Sequence, residues 1–299
     1  MANCHIQPGA LGIPLSWTEE VQQYSFVNQK VAQSVQYAFQ ALALDEHRGL
    51  FTPTVWEEPE KPHSLKLLKQ CWFPGVHGNC GGGYSDAGMS NITLAWMISQ
   101  LQEHGILDFD VDYEDFVQEL NKKFYEKVPV PRSWGLGRVF NSTSGLEGSI
   151  ENMGSPPKVR TPGRYCQVSS VDGKQTNIPL VNTGECIHRC VRVRIAEGGL
   201  GEEADPTTLT ATEKLEGKVE SFMGVKKPPE KYETQAFDGK LAPLKGFIME
   251  QPPAGVKVEM DYAALGNSGF LWVNGEVKLP EDEFLPTERN FYEKCVPFN

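Results

Sequence analysis

The sequence predicts an α/β fold, a parallel sheet with flanking helices, on three observations. The apolar run Lys66–Phe73 stops at Pro74-Gly75, as a buried strand does on reaching the edge of its sheet. Three consecutive glycines, Gly81-Gly82-Gly83, follow shortly and let the backbone turn or approach another segment closely. The segment Ile92–Glu103 is apolar almost all round, which marks a buried helix, capped at Ser90 or Asn91 and ended at Gly105. Strand, glycine-rich turn and buried helix in that order make the unit of a parallel sheet.

The remaining elements follow in chain order. The first twenty residues, punctuated by Pro8-Gly9 and Gly12-Ile13-Pro14, read as a loop. Val27, Val31, Val35, Ala38, Phe39 and Leu42 fall at helical spacing and predict an amphipathic helix over 27–44, closed by Asp45-Glu46-His47-Arg48. Val55-Trp56 sits in a connection rich in proline (Pro53, Pro59, Pro62). A third helix is expected from Asp112, with Phe116, Leu120 and Phe124 on one face. From Pro129 onward Gly, Pro, Ser and Asn dominate, so 130–185 offers short strands only. Further strands are expected at Cys190–Ile195, Gly246–Glu250, Val256–Met260 and Phe270–Val273, and a short amphipathic helix at Glu281–Lys294. The charged, Gly-rich segment 196–240 reads as a surface insertion. The organisation is therefore a core half over 1–128 and a loop- and strand-rich C-terminal region over 129–299 packed on it.

Composition bounds the function. The chain has 299 residues, 39% of them hydrophobic, enough for a sizeable core. A net charge of −11 argues against a nucleic-acid surface and against adsorption to anionic membranes. No run has the length of a membrane span and no signal peptide opens the chain, which predicts a cytoplasmic protein. The seven cysteines (Cys4, Cys71, Cys80, Cys166, Cys186, Cys190 and Cys295) are odd in number and dispersed, unlike a disulfide scaffold. Cys186-x-x-x-Cys190 with His188 between them has the look of a zinc half-site, but no second ligand pair stands at a standard spacing. No metal is expected. The glycine triplet lacks a following Walker lysine, so no nucleotide or other cofactor is expected either.

His77 lies between the Pro-Gly break and the glycine triplet, where an α/β enzyme carries a catalytic base, and an ordinary imidazole titrates near neutrality. Tyr84 and Asp86 beside it complete the candidate catalytic set, with helix entry as the structural alternative for both. Gly83-Tyr84-Ser85-Asp86-Ala87 imitates G-x-S-x-A, but it follows a triple glycine and not a tight strand-to-helix elbow, so Ser85 reads as structural. Cys80 is either a small buried hydrophobe or the partner of His77 in a dyad. Asp45 and Glu46 either cap and ion-pair within the fold or supply a carboxylate beside His77. Asn141, Ser142 and His188 read as structural.

Several of these segments resemble a family. Phe39-Gln40-Ala41-Leu42-Ala43-Leu44-Asp45-Glu46, Trp72-Phe73-Pro74-Gly75-Val76-His77-Gly78-Asn79-Cys80-Gly81-Gly82-Gly83-Tyr84 and Asn91-Ile92-Thr93-Leu94-Ala95-Trp96-Met97 are similar to the α/β-hydrolases related to type VI secretion phospholipase effectors, in a mostly uncharacterised fungal and bacterial group. Weaker likeness extends to Arg160-Thr161-Pro162-Gly163, to Glu185-x-Ile187-His188-x-x-Val191-Arg192 and to Leu279-Pro280-Glu281. The resemblance implies a Ser-Asp-His triad in that chain order, with the serine on a G-x-S-x-G elbow and the histidine at His77. Gly9-Ala10-Leu11-Gly12-Ile13-Pro14 aligns with the loop after the family's aspartate, yet Ile6-Gln7-Pro8 stand where that aspartate belongs. The likeness is thus to the second half of the hydrolase, a partial α/β-hydrolase-like fold.

Two readings from different classes follow. In one, a hydrolase-derived enzyme with an incomplete triad uses His77 as general acid/base on a small apolar or ester-containing metabolite, by hydrolysis or by cyclisation, elimination or isomerisation. A fungal secondary-metabolism setting suits it. In the other, a catalytically inactive pseudo-hydrolase binds or scaffolds. Expected partners are a small-molecule substrate and a second copy of the chain at an exposed sheet edge.

Overall fold

The run that ends at Pro74 is a strand buried on both faces, and a mixed six-stranded sheet is assembled around it. The computed structural model describes residues 29–84, 87–110, 135, 137–141, 158–169, 175–197, 202–204, 243–250, 269–282 and 284–289. The strands are β1 (Tyr37–Ala43), β2 (Leu67–Phe73), β3 (Val139–Asn141), β4 (Cys166–Val168), β5 (Gln175–Pro179), β6 (Glu185–His188), β7 (Glu202–Ala204), β8 (Ile248–Glu250), β9 (Leu271–Asn274) and β10 (Val277–Asp282). The helices are α1 (His77–Gly81), α2 (Gly88–Glu103) and α3 (Arg189–Glu197). The main sheet runs β1-β2-β6-β10-β9-β8, and two small pairs, β3–β7 and β4–β5, stand apart from it.

β1, β2, β6 and β10 are mutually parallel, with Cys71 opposite Cys186 and Ile187 between Trp72 and Glu281; β9 and β8 continue antiparallel. Four strands therefore deliver their carboxyl ends to one edge, the place where open α/β sheets bind ligands. Alternation sorts the side chains. Leu42, Trp72, Ile187 and Leu279 pack on one face with Trp272, Tyr165 and Leu244. Cys71, Phe73 and Cys186 pack on the other against Met89, Ile92 and Trp96 of α2. Gly184, at φ +60°, leads into β6: a Cβ there would stand 2.1 Å from the Leu68 carbonyl oxygen, so the β2–β6 register needs glycine.

Three expectations are corrected. Residues 37–43, inside the expected helix 27–44, form β1, with Ala38 and Leu42 buried. A strand covered on both faces is apolar without strict alternation, and its spacing imitates a helix. The Asp45–Arg48 cluster consequently follows a strand and not a helix. Cys190–Ile195 belongs to α3; the strand is Glu185–His188, just before it. Burial of Cys190, Val191 and Arg194 follows the helical period, which the alternating valines concealed. Glu281 and Asp282 end β10, and the helical turn begins only after Leu285, whose carbonyl accepts the Arg289 N–H at 2.8 Å.

The strand ending at Phe73, the helix through 92–103 and strands at Gly246–Glu250 and Phe270–Val273 are present within a residue or two, apart from α2 starting at Gly88. The loop over the first twenty residues, the helix from Asp112, the strand Val256–Met260 and Ser85, Asp86 and Ser142 lie outside the described residues, as does most of 196–240.

Candidate active site

The chain leaves β2 through Pro74 and turns at Gly75, whose φ of +99° and contact with Asn79 leave no room for a Cβ. α1 then starts at His77. The Asn79 side chain secures this turn: its Oδ1 accepts the Val76 N–H at 3.1 Å and its Nδ2 donates to the Arg138 carbonyl at 3.0 Å, tying α1 to the segment entering β3.

Two buried carboxylates at the end of β1 hold the same turn from the other side. Asp45 Oδ2 accepts the Gly75 N–H at 2.5 Å, and Glu46 Oε2 accepts the His77 N–H at 3.1 Å. Glu46 also receives Arg48 in a two-pronged ion pair, Nε to Oε1 at 3.0 Å and Nη2 to Oε2 at 2.9 Å. Burial opposes the charge on Glu46, but Arg48 outweighs it and holds the carboxyl below its ordinary range. The Arg48 guanidinium lies 3.8 Å from the centre of the Phe51 ring, and the same ring meets the His77 imidazole at 5.2 Å. Arg160, almost wholly buried, donates to the carbonyls of Arg48 and Phe51 at 2.9 and 3.0 Å and so fixes the loop that carries them.

His77 itself is exposed. Its backbone is anchored and its ring is left to solvent; among the described residues nothing hydrogen-bonds the imidazole. Asp45 and Glu46 thus serve the backbone of the turn, the structural alternative of the two weighed for them. The Tyr84 ring lies 3.9 Å from that of Phe140, tilted by 31°, and covers Gly78, where a Cβ would come within 2.6 Å of the ring. Cys80 points inward, toward the cluster of Cys71, Phe73 and Trp96, and burial pushes its thiol well up, which makes it a hydrophobe. Arg48, Phe51, Arg160 and the buried His47 are neighbours that sequence reasoning missed. Burial, opposed by Asp45 and reinforced by Arg160, lowers the proton affinity of His47. A basic residue two positions after Glu46 was the available signal.

A second group ends β6. His188, fully buried, stacks on Phe73 at 4.5 Å, with its Nδ1 2.9 Å from Cys190 Sγ and its Nε2 2.7 Å from Glu288 Oε1. Beside it, Asp282 accepts Lys69 at 2.9 Å and the Trp96 indole N–H at 2.7 Å. The spacing that suggested a zinc half-site is divided: Cys186 joins Cys71 and Asp282, their donor atoms within 4.8 Å of one another, while His188 and Cys190 pair separately. Burial raises the Cys71 thiol, and the Lys69 ammonium occupies the Asp282 carboxylate.

A mixed sheet flanked by helices, with a histidine on the carboxyl edge of its parallel strands, defines an α/β protein. Residues 9–100 match the family model of the T6SS phospholipase effector Tle1-like catalytic domain, which relates the chain to that family through the segment that carries β1, β2, α1 and most of α2. No curated protein and no solved structure matches the chain.

Proposed function

We propose that the chain is a hydrolase-family-derived enzyme with an incomplete triad, in which His77 is the general acid/base for a small apolar or ester-containing metabolite. One observation carries this: an exposed imidazole stands at the carboxyl edge of four parallel strands, on a turn whose backbone two buried carboxylates hold. The matched catalytic-domain family supports a hydrolase origin.

His77 takes a proton from an attacking hydroxyl or water and returns it to the leaving oxygen. Phe51 gives the ring an apolar flank, which favours an apolar group on the substrate. The same proton shuttle serves cyclisation, elimination or isomerisation without a nucleophile, and a secondary-metabolism substrate fits either course. No described helix is long and apolar enough to cross a membrane. A cytoplasmic location, and a second copy of the chain docking at β1 on the end of the sheet, complete the proposal.

Hydrolysis of p-nitrophenyl esters of increasing chain length, by wild type beside His77→Ala, tests the reading. Loss of a positioned base is expected to lower turnover by roughly 100- to 10,000-fold. Full activity in His77→Ala, or no turnover by folded wild type, would overturn the hydrolytic form.

A further inference from the structure

The buried group at the end of β6 has the arrangement of a thiol nucleophile with its base and orienting acid. His188 precedes α3, and its Nδ1 accepts the Cys190 N–H at 3.2 Å while Cys190 Sγ lies 2.9 Å away. That amide assigns Nδ1 as the acceptor and puts the ring proton on Nε2, toward Glu288 Oε1 at 2.7 Å. The thiol therefore faces the basic nitrogen of an imidazole whose other nitrogen is set by a carboxylate, the nucleophile–base–orienter order of covalent catalysis. Cys190 also sits in the first turn of the nine-residue helix α3.

A helix cap alone does not account for it. An Asn or Ser would accept the amide without burying a carboxylate. Here Glu288 is wholly buried, its second oxygen Oε2 finds no hydrogen-bond partner among the described residues, and burial pushes its carboxyl up while His188 pulls it back. Such an orphaned acceptor is costly to keep. Phe73 and Phe284 flank the imidazole at 4.5 and 5.9 Å, and Gly135 backs onto Cys190, so the imidazole and the thiol are closely flanked by aromatic rings and backbone.

We propose that Cys190, His188 and Glu288 form a second reactive site, independent of His77, that accepts an acyl group from a slim, apolar ester. The Cys190 S–H proton passes to His188 Nδ1 and the thiolate attacks the carbonyl carbon. The C–S bond forms, the C–O bond breaks, and the leaving oxygen takes the proton from His188. The product is a thioester on Cys190 and a free alcohol; water then releases the acid. Since all three residues are buried, acylation proceeds through local opening.

Native protein treated with p-nitrophenyl acetate, quenched in acid and mapped by peptide mass spectrometry, tests the site without any variant. Cys71 and Cys186, just as deeply buried, are the internal controls. Cys190 is expected to acquire the acetyl group about 100-fold faster than either, the contribution of a positioned base. His77→Ala is expected to leave that labelling unchanged, which separates this site from the ester chemistry proposed above. Glu288→Gln, checked for an unchanged fold by circular dichroism, is expected to slow acylation and displace its pH profile. Labelling of Cys190 no faster than of Cys71 and Cys186, or acetyl found only on surface lysines, would overturn the proposal and leave His188 as a helix cap.

Discussion

His77 follows β2 and His188 ends β6, neighbouring, hydrogen-bonded strands of one sheet, and they are held in opposite ways. His77 is fixed through the main chain of its turn, by Asp45 at Gly75 and by Glu46 at His77 itself, and its ring is exposed. His188 is fixed through its ring, with both nitrogens engaged and aromatic rings on either side. Anchoring by backbone leaves an imidazole's proton available to a small molecule arriving from solvent. Anchoring by side chain ties the proton to protein partners and makes its chemistry depend on opening. The two arrangements predict different penalties for substitution, and the interior should suffer most.

Lys69→Met is expected to show the largest effect. The pair with Asp282 is buried on both sides; burial opposes the charge on Lys69, and Asp282 outweighs it and raises its proton affinity. Removing the ammonium leaves a carboxylate in the core with the Trp96 indole as its remaining described donor, a loss of about 3–5 kcal/mol in urea unfolding. A loss below about 1 kcal/mol would show that water reaches this layer and that the interior and the edge differ less than the geometry states.

Glu46→Gln comes next and probes the edge. The folded carboxyl lies below its ordinary value of 4.5, so Glu46 stabilises the protein above that value, and the contribution fades as pH falls through the lowered folded value. The variant is expected to lose about 1–3 kcal/mol at neutral pH and to have a flatter acid limb in melting temperature against pH. Parallel acid limbs in variant and wild type would place the titration elsewhere.

The contrast also marks what the sequence could reveal. The edge was legible because its signals are local: Pro74-Gly75 ends a strand, and His77 follows within two residues. The interior group was not, because His188 and Glu288 meet across one hundred positions and Lys69 and Asp282 across more than two hundred. β1 was misread for a related reason. Ala38, Phe39 and Leu42 satisfy a helical period, and only pairing with Leu68–Trp72 across the sheet makes them a strand. Cys190–Ile195 erred in the opposite direction, since alternating valines suggest a strand until His188 caps a helix there.

His77→Ala should have the smallest effect on stability, within about 0.5 kcal/mol, although it should have a large effect on turnover. Its anchoring bonds come from the main chain and survive the substitution, and an exposed ring resting on Phe51 buries little apolar surface. The paired measurement matters because loss of activity alone is ambiguous. An unchanged urea midpoint beside abolished ester turnover assigns the loss to the imidazole's proton chemistry. A midpoint lowered by more than about 1 kcal/mol would mean that the ring props the Phe51–Arg48–Glu46 stack, and the edge histidine would then be a structural residue.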